Sequence, residues 1–228
     1  MERRKFLKTA GLALLTIPVM ILGSTSQGNP LGIPPEVYSR EDFQRYREWI
    51  DQTIDQSRQE KSPAIIIDKW EHTLTLIKTG KVKAEYCIQL GLNPTDDKQK
   101  EGDMRTPESL YHIVSREHLG PTSYHKALLL DYPNKDDVRQ GKTGSLIEIH
   151  GQPRGSPPSP LEESVLPYSC RGIANDWTHG CIALSNPDID ELSQSVGIGT
   201  LVTIVKYGTT YPTYLDGTPN IGKFRLEK

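Results

Sequence analysis

The sequence has little cysteine, almost no net charge and no apolar run long enough to cross a bilayer. Its cysteines, Cys87, Cys170 and Cys181, are 3 in 228 residues, too few to staple a scaffold and too scattered to hold zinc. Among the histidines, His72, His112, His118 and His125 show no metal-ligand spacing. The charged loop Asp96–Asp103 lacks the alternating ligands and placed glycine of a calcium loop, so no metal and no cofactor is expected. With 27 Lys+Arg against 29 Asp+Glu there is no basic footprint for nucleic acid or an anionic membrane. An internal repeat is also missing, as is the alternation of strand and helix that marks a parallel α/β fold.

The apolar stretch Ala10–Gly23 is 14 residues long and contains Pro18, short of the ~20 residues needed to span a membrane as a helix. It follows the basic Met1–Lys8 and precedes small and polar residues, the order of a secretory signal. Arg3-Arg4 resembles the twin-arginine export motif, with Glu2 where Ser or Thr is usual, so both export routes stay open. Without residues 1–28 the chain has 23 Lys+Arg, 27 less the 4 removed, and 28 Asp+Glu, 29 less 1. The expectation is an exported protein of the periplasm or cell envelope, touching the membrane only through its signal. An odd cysteine count in that oxidising space leaves at least one thiol over.

Residues 29–62 read as a linker and an N-terminal amphipathic helix. Ser39 is a helix cap followed by acids, and Phe43, Tyr46, Ile50 and Ile54 repeat at helical spacing beside Trp49. From Ala64 the period becomes that of strands: Ala64–Asp68, Thr73–Ile77 and, after a Lys78-Thr79-Gly80-Lys81 turn, Val82–Leu90. Alternation sets Tyr86 and Ile88 on one face and Cys87, read as a packed thiol, on the other. Tyr111–Val114, Lys126–Leu130, Ser145–Ile149, the short apolar run Cys181–Leu184 and Leu201–Val205 complete the strands. A helix with Asn186 as cap and Pro187 in its first turn buries Ile189, Leu192 and Val196. The fold class is mostly β (α+β), a sandwich or barrel of mixed strands with one or two helices. The main folded domain is expected over 63–207, with a C-terminal extension at 208–228.

Chemistry concentrates in Asp176-Trp177-Thr178-His179-Gly180-Cys181. A cysteine after glycine on a tight turn can present two backbone N–H groups, as an oxyanion hole requires. A thiol near its reference pKa of ~8.5 needs a base. His150, at the end of the strand Ser145–Ile149, could supply it; His179 is nearer in sequence but points along the chain. These residues alone leave two readings of Cys181, a nucleophile or a small residue on a buried strand.

His150-Gly151, followed by Thr178-His179-Gly180-Cys181-Ile182 and Asn186, resembles the HG…[S/T]-x-G-C-x-x-x-x-N signature of the YkuD L,D-transpeptidases. Ile66-Ile67-Asp68-Lys69 with Leu74-Thr75-Leu76 resembles that family's opening hairpin, and Gly102-Asp103-Met104-Arg105-Thr106-Pro107-Glu108 its G-D-x-x-T-P-E-G loop. Asp131-Tyr132-Pro133-Asn134 and Asp176-Trp177-Thr178 are similar to the YafK-like branch. The resemblance implies a cysteine acyl-enzyme on peptidoglycan stem peptides, formed at diaminopimelate with release of D-alanine. It makes Cys181 the nucleophile and His150 the base. The N–H groups of Gly180 and Cys181, with His179, form the oxyanion hole; Thr178 orders the turn and Gly151 completes the HG pair. A cell-wall-linked protein is a further partner in the family's hydrolytic version, a carboxypeptidase or amidase; a peptidoglycan-binding module without catalysis is the third reading.

The chain departs from the pattern at Pro153–Tyr168, which reads as an insertion and lengthens the path from His150 to Thr178. Ala183 stands where many members carry arginine, and Ser109 replaces the last Gly of the loop. Cys170, on the inserted loop, is read as structural, with a bond to Cys181 as the alternative.

Overall fold

The computed structural model of the protein describes residues 40–116, 124–157, 161, 170 and 175–206. The export segment, the linker with Ser39, the C-terminal extension and residues 158–160 and 162–168 of the insertion lie outside them. Among the described residues are helices α1 (Arg40–Glu60), α2 (Lys135–Arg139) and α3 (Asn186–Ser195). The strands are β1 (Pro63–Asp68), β2 (Thr73–Lys78), β3 (Lys81–Cys87), β4 (Ser109–Ser115), β5 (Ala127–Leu130), β6 (Glu148–His150), β7 (Ile182–Ala183) and β8 (Leu201–Val205). No helix among them is long and apolar enough to cross a membrane.

The strands form one sheet in the order β3-β2-β1-β8-β4-β5-β6-β7. The β1/β8 and β6/β7 pairs are parallel and the others antiparallel. Residues just beyond β3 bring the two edges together. Gln89 exchanges backbone hydrogen bonds of 2.9 and 2.8 Å with Ala183, and Gly91 bridges to Thr178. The sheet is thereby curled on itself, in line with the mixed-strand expectation.

Period-2 alternation along β1 accounts for its unbroken apolar run. Ile65 and Ile67 enter the main core with Leu74, Tyr111, Ile149, Ile182 and Leu192. Ala64 and Ile66 face the other way, under Tyr46 and Ile50 of α1, with Ile77, Leu201 and Val205. A strand covered on both faces has no polar side to show, and each fully buried Ile contributes about 1.5–3 kcal/mol. The stripe of α1 is therefore a packing face; the side chain of Phe43 is outside the described residues. At the β2–β3 turn both Thr79 (φ 54°) and Gly80 (φ 73°) are left-handed, the geometry that matches strand twist in a two-residue hairpin.

Several local expectations are corrected. The strand expected at Ser145–Ile149 begins at Glu148 and includes His150. Leu146, with φ 57°, turns the chain before it can pair. The cap of α3 is Ser185, whose Oγ accepts the Asp188 N–H at 3.2 Å. Asn186 instead accepts the Gln152 N–H at 2.9 Å and braces the chain after His150. The single turn of α2 is additional, started by Asn134 in a capping box with Asp137. Cys87 is not a packed thiol: it is disulfide-bonded to Cys170. Alternation had put it on the face away from Tyr86, where Leu161 also packs.

Candidate active site

Cys181 is the free cysteine. It ends a turn that the loop between β3 and β4 holds from outside. Buried Lys69, at the end of β1, donates to Glu108 Oε1 (2.7 Å), Thr106 O (2.9 Å) and Asp96 O (2.8 Å). Tyr46 of α1 donates to the other Glu108 oxygen at 2.5 Å. The Thr106 hydroxyl accepts the Gly91 N–H at 3.1 Å. These bonds press the Arg105 carbonyl onto Gly180 of the turn and the Met104 carbonyl onto Gly91 beside it. A Cβ on Gly180 would lie 2.5 Å from Arg105 O, and one on Gly91 would lie 2.2 Å from Met104 O. Gly180 also has φ 130°, closed to most side chains.

Within the turn, buried Thr178 accepts the Gly180 N–H (3.1 Å) and donates to Cys181 O (2.7 Å). The expectation that both Gly180 and Cys181 present free N–H groups is thus corrected: Thr178 uses the first. The Cys181 N–H has no acceptor among the described residues. His179 is exposed on the outside of the turn. Ahead of it, Asp176 accepts the Leu90 N–H at 2.6 Å and meets His72 Nε2 at 3.0 Å. Trp177 donates its indole N–H to Gln89 at 3.0 Å.

The β6/β7 register, Ile149 opposite Ile182 and His150 opposite Ala183, sends both isoleucines into the core. It leaves His150 on the other face, and one step further along the same register sets Cys181 beside Glu148. His150 is fully buried, not at the rim as the sequence suggested. Its Nδ1 lies 2.7 Å from Gly151 O. A carbonyl only accepts, so Nδ1 carries the proton and Nε2 holds the lone pair. That Nε2 is buried and has no hydrogen-bond partner among the described residues. Burial pushes the imidazole down to about 4, against a smaller upward pull from the Gly151 carbonyl. Gly151 is required by close approach, since a Cβ there would stand 2.7 Å from Asn186 Oδ1.

Burial likewise pushes the Cys181 thiol up to about 11. Its Sγ donates to Leu146 O at 3.4 Å. At neutral pH the resting pair is therefore a neutral thiol and a neutral imidazole, with the thiol proton held on a carbonyl and the imidazole lone pair unoccupied.

Tyr124 carries no signal of its role in the sequence. Its ring stacks on His150 at 3.7 Å between centroids and 17° between planes, while Trp177 meets the imidazole edge-on at 5.7 Å. Tyr124 is bridged to Pro153, and Arg154 Nε donates to its carbonyl at 3.0 Å. The start of the insertion thus fixes one wall of the imidazole slot. Burial raises the Tyr124 phenol, with Cys181 and Glu148 adding to the effect. Ala183, the position of the missing arginine, is fully buried. No group of His, Cys, Asp and Glu fit to hold a metal occurs among the described residues.

The curled mixed sheet thus carries a free thiol on a glycine turn and a buried imidazole with one nitrogen already engaged. Residues 62–204 match the YkuD L,D-transpeptidase catalytic domain, and the chain belongs to that family. It is 32% identical over 204 residues to YafK of Escherichia coli strain K12, whose name places it among the L,D-transpeptidases. That match covers 84% of this chain and 63% of YafK, so the chain spans less than two thirds of the curated relative. Among solved structures it is similar to the helical cell shape determining protein Pgp2 of Campylobacter jejuni. The K307A mutant of Pgp2 is 26% identical with a TM-score of 0.50, over 75% of this chain and 57% of that one.

Proposed function

We propose that the protein is an exported L,D-transpeptidase that acylates Cys181 with the peptidoglycan stem peptide at diaminopimelate and releases D-alanine. The observation that carries this reading is His150. It is buried, its tautomer is fixed by Gly151 O, and its empty Nε2 lies on the face that carries the free thiol. The family supports peptidoglycan as the target. In the proposed cycle the Cys181 thiol leaves the Leu146 carbonyl and gives its proton to His150 Nε2. Sulfur attacks the diaminopimelate carbonyl, and the Cys181 N–H receives the oxyanion. Nε2 returns the proton to the departing D-alanine amine, leaving a thioester. An incoming amine attacks the thioester, its proton passes to Nε2, and the thiol is restored.

Incubating the leaderless protein with disaccharide-tetrapeptide tests the proposal. D-alanine release with a cross-linked product is expected, and Cys181→Ala and His150→Ala should each lose at least about 100-fold in turnover. Tripeptide as the sole product would turn the reading to the hydrolase. Full turnover by either variant would remove the thiol–imidazole mechanism.

A further inference from the structure

In the proposed cycle His150 carries a positive charge midway, and no acid is bonded to it. Its Nδ1 meets the neutral Gly151 carbonyl, and Nε2 has no partner among the described residues. Glu148, two residues back on the same face of β6, makes no hydrogen bond or ion pair with either nitrogen. Burial opposes the charge further. What lies against the imidazole instead is aromatic. Tyr124 covers one face, at 3.7 Å between centroids and 17° between planes. Trp177 stands beside the rim: its centroid is 5.7 Å from the imidazole and 6.4 Å from Tyr124, so the three separations make nearly a right angle at His150. Two neutral rings laid face to face set like charge on like, and neutral aromatic pairs prefer offset or edge-on contact at about 4.5–7 Å. A cation over the same ring face is attracted to it. The backbone holds Tyr124 in this stack, through its bridge to Pro153 and the Arg154 Nε–H donated to its carbonyl at 3.0 Å.

We propose that Tyr124 is a positioning residue whose ring face stabilises the His150 imidazolium, so that the stack is stronger after proton transfer from Cys181 than before it. This rests on Cys181 and His150 being the working pair. An interaction that strengthens only as charge develops lowers the barrier without holding back the resting state. The cations nearby are engaged or open to solvent: Arg154 is exposed, His125 and Lys126 pair with Asp190, and Lys98 pairs with Asp103.

Alkylation of Cys181 by iodoacetamide needs no peptidoglycan, so it stands apart from the proposed transpeptidation. Cys87 and Cys170 are bonded to each other, which leaves Cys181 as the thiol labelled in the unreduced protein. The thiol proton passes to Nε2, sulfur displaces iodide, and the imidazolium gives the proton up to water. Rates at neutral pH are followed by intact mass for wild type, Tyr124→Phe and Tyr124→Leu, and for His150→Gln with and without Tyr124→Leu. Tyr124→Leu is expected to react on the order of tenfold more slowly than wild type. Tyr124→Phe, which keeps the ring, should stay within about threefold. In the His150→Gln background, where no imidazolium forms, Tyr124→Leu should change the rate by less than about twofold. Opening the slot to water would speed the reaction instead, so a faster or unchanged Tyr124→Leu protein would overturn the proposal. So would equal slowing in the His150→Gln background, since packing rather than charge would then be responsible. If Tyr124→Leu does not fold, Tyr124→Met is read in the same way. His150→Gln reacting as fast as wild type would remove the working pair itself, and the proposed cycle with it.

Discussion

A methyl group at Gly180 would meet the Arg105 carbonyl oxygen at 2.5 Å on a backbone whose φ is 130°. Neither can give way cheaply, because the carbonyl is held by a loop pinned through a buried ion pair. Gly180→Ala is therefore expected to cost at least about 2 kcal/mol and to displace Cys181, which urea denaturation and Cys181 alkylation together would register. His150 provides a second residue-scale prediction. Its pKa is about 4 in the fold against 6.5 in the unfolded chain, so the unfolded state binds the proton first as pH falls. The stability tied to neutral His150 is complete above about pH 6.5 and is lost on descent through about pH 4. It amounts to about 3 kcal/mol. Denaturation at pH 7 and pH 4.5 should show wild type losing clearly more stability than His150→Gln; equal losses would contradict the burial argument. The sequence exposed Cys181, His150 and Thr178 because their spacing along the chain is itself the signal. It did not expose Tyr124, whose place over the imidazole comes from the β5/β6 register and from its bridge to Pro153.

Among the elements, the loop between β3 and β4 has a role that its polar, turn-rich composition conceals. Its Thr106-Pro107-Glu108 end reaches Lys69, Gly91 and Tyr46. It is a clamp on the Cys181 turn rather than a free surface loop. Glu108→Ala would leave Lys69 buried without its carboxylate, and a loss of about 3–5 kcal/mol is expected, measurable by urea denaturation. The β1–β3 hairpins and the stripe of α1 were readable because burial and period coincide there. β6 and the start of α3 were read a residue or more out of place. In each case a side chain or backbone angle, the left-handed Leu146 or the Ser185 hydroxyl, outweighed the local pattern. The capping box of α2 was present in Asn134–Asp137 and could have been read from sequence.

For the molecule as a whole, the Cys87–Cys170 bond joins the end of β3 to the chain that leads back into the Cys181 turn. Both partners lie upstream of segments that meet again at Gln89–Ala183 and Gly91–Thr178. The bond closes a loop of 83 residues, and its removal should cost about 4–5 kcal/mol on the chain-entropy account. Denatured but unreduced protein should accept one iodoacetamide, and reduced protein three. Two cysteines 83 residues apart carry no sequence signal of their pairing, since that depends on where the insertion returns to the sheet.

In the proposed cycle Cys181 carries the acyl group. Intact-mass spectrometry of the unreduced leaderless protein, quenched in acid within seconds of mixing with disaccharide-tetrapeptide, tests it most directly. The expected result is an adduct equal to the donor less D-alanine, mapped to the Cys181 peptide, discharged by hydroxylamine and absent from Cys181→Ala. Product formation with no adduct on Cys181, or an unchanged adduct in Cys181→Ala, would contradict it.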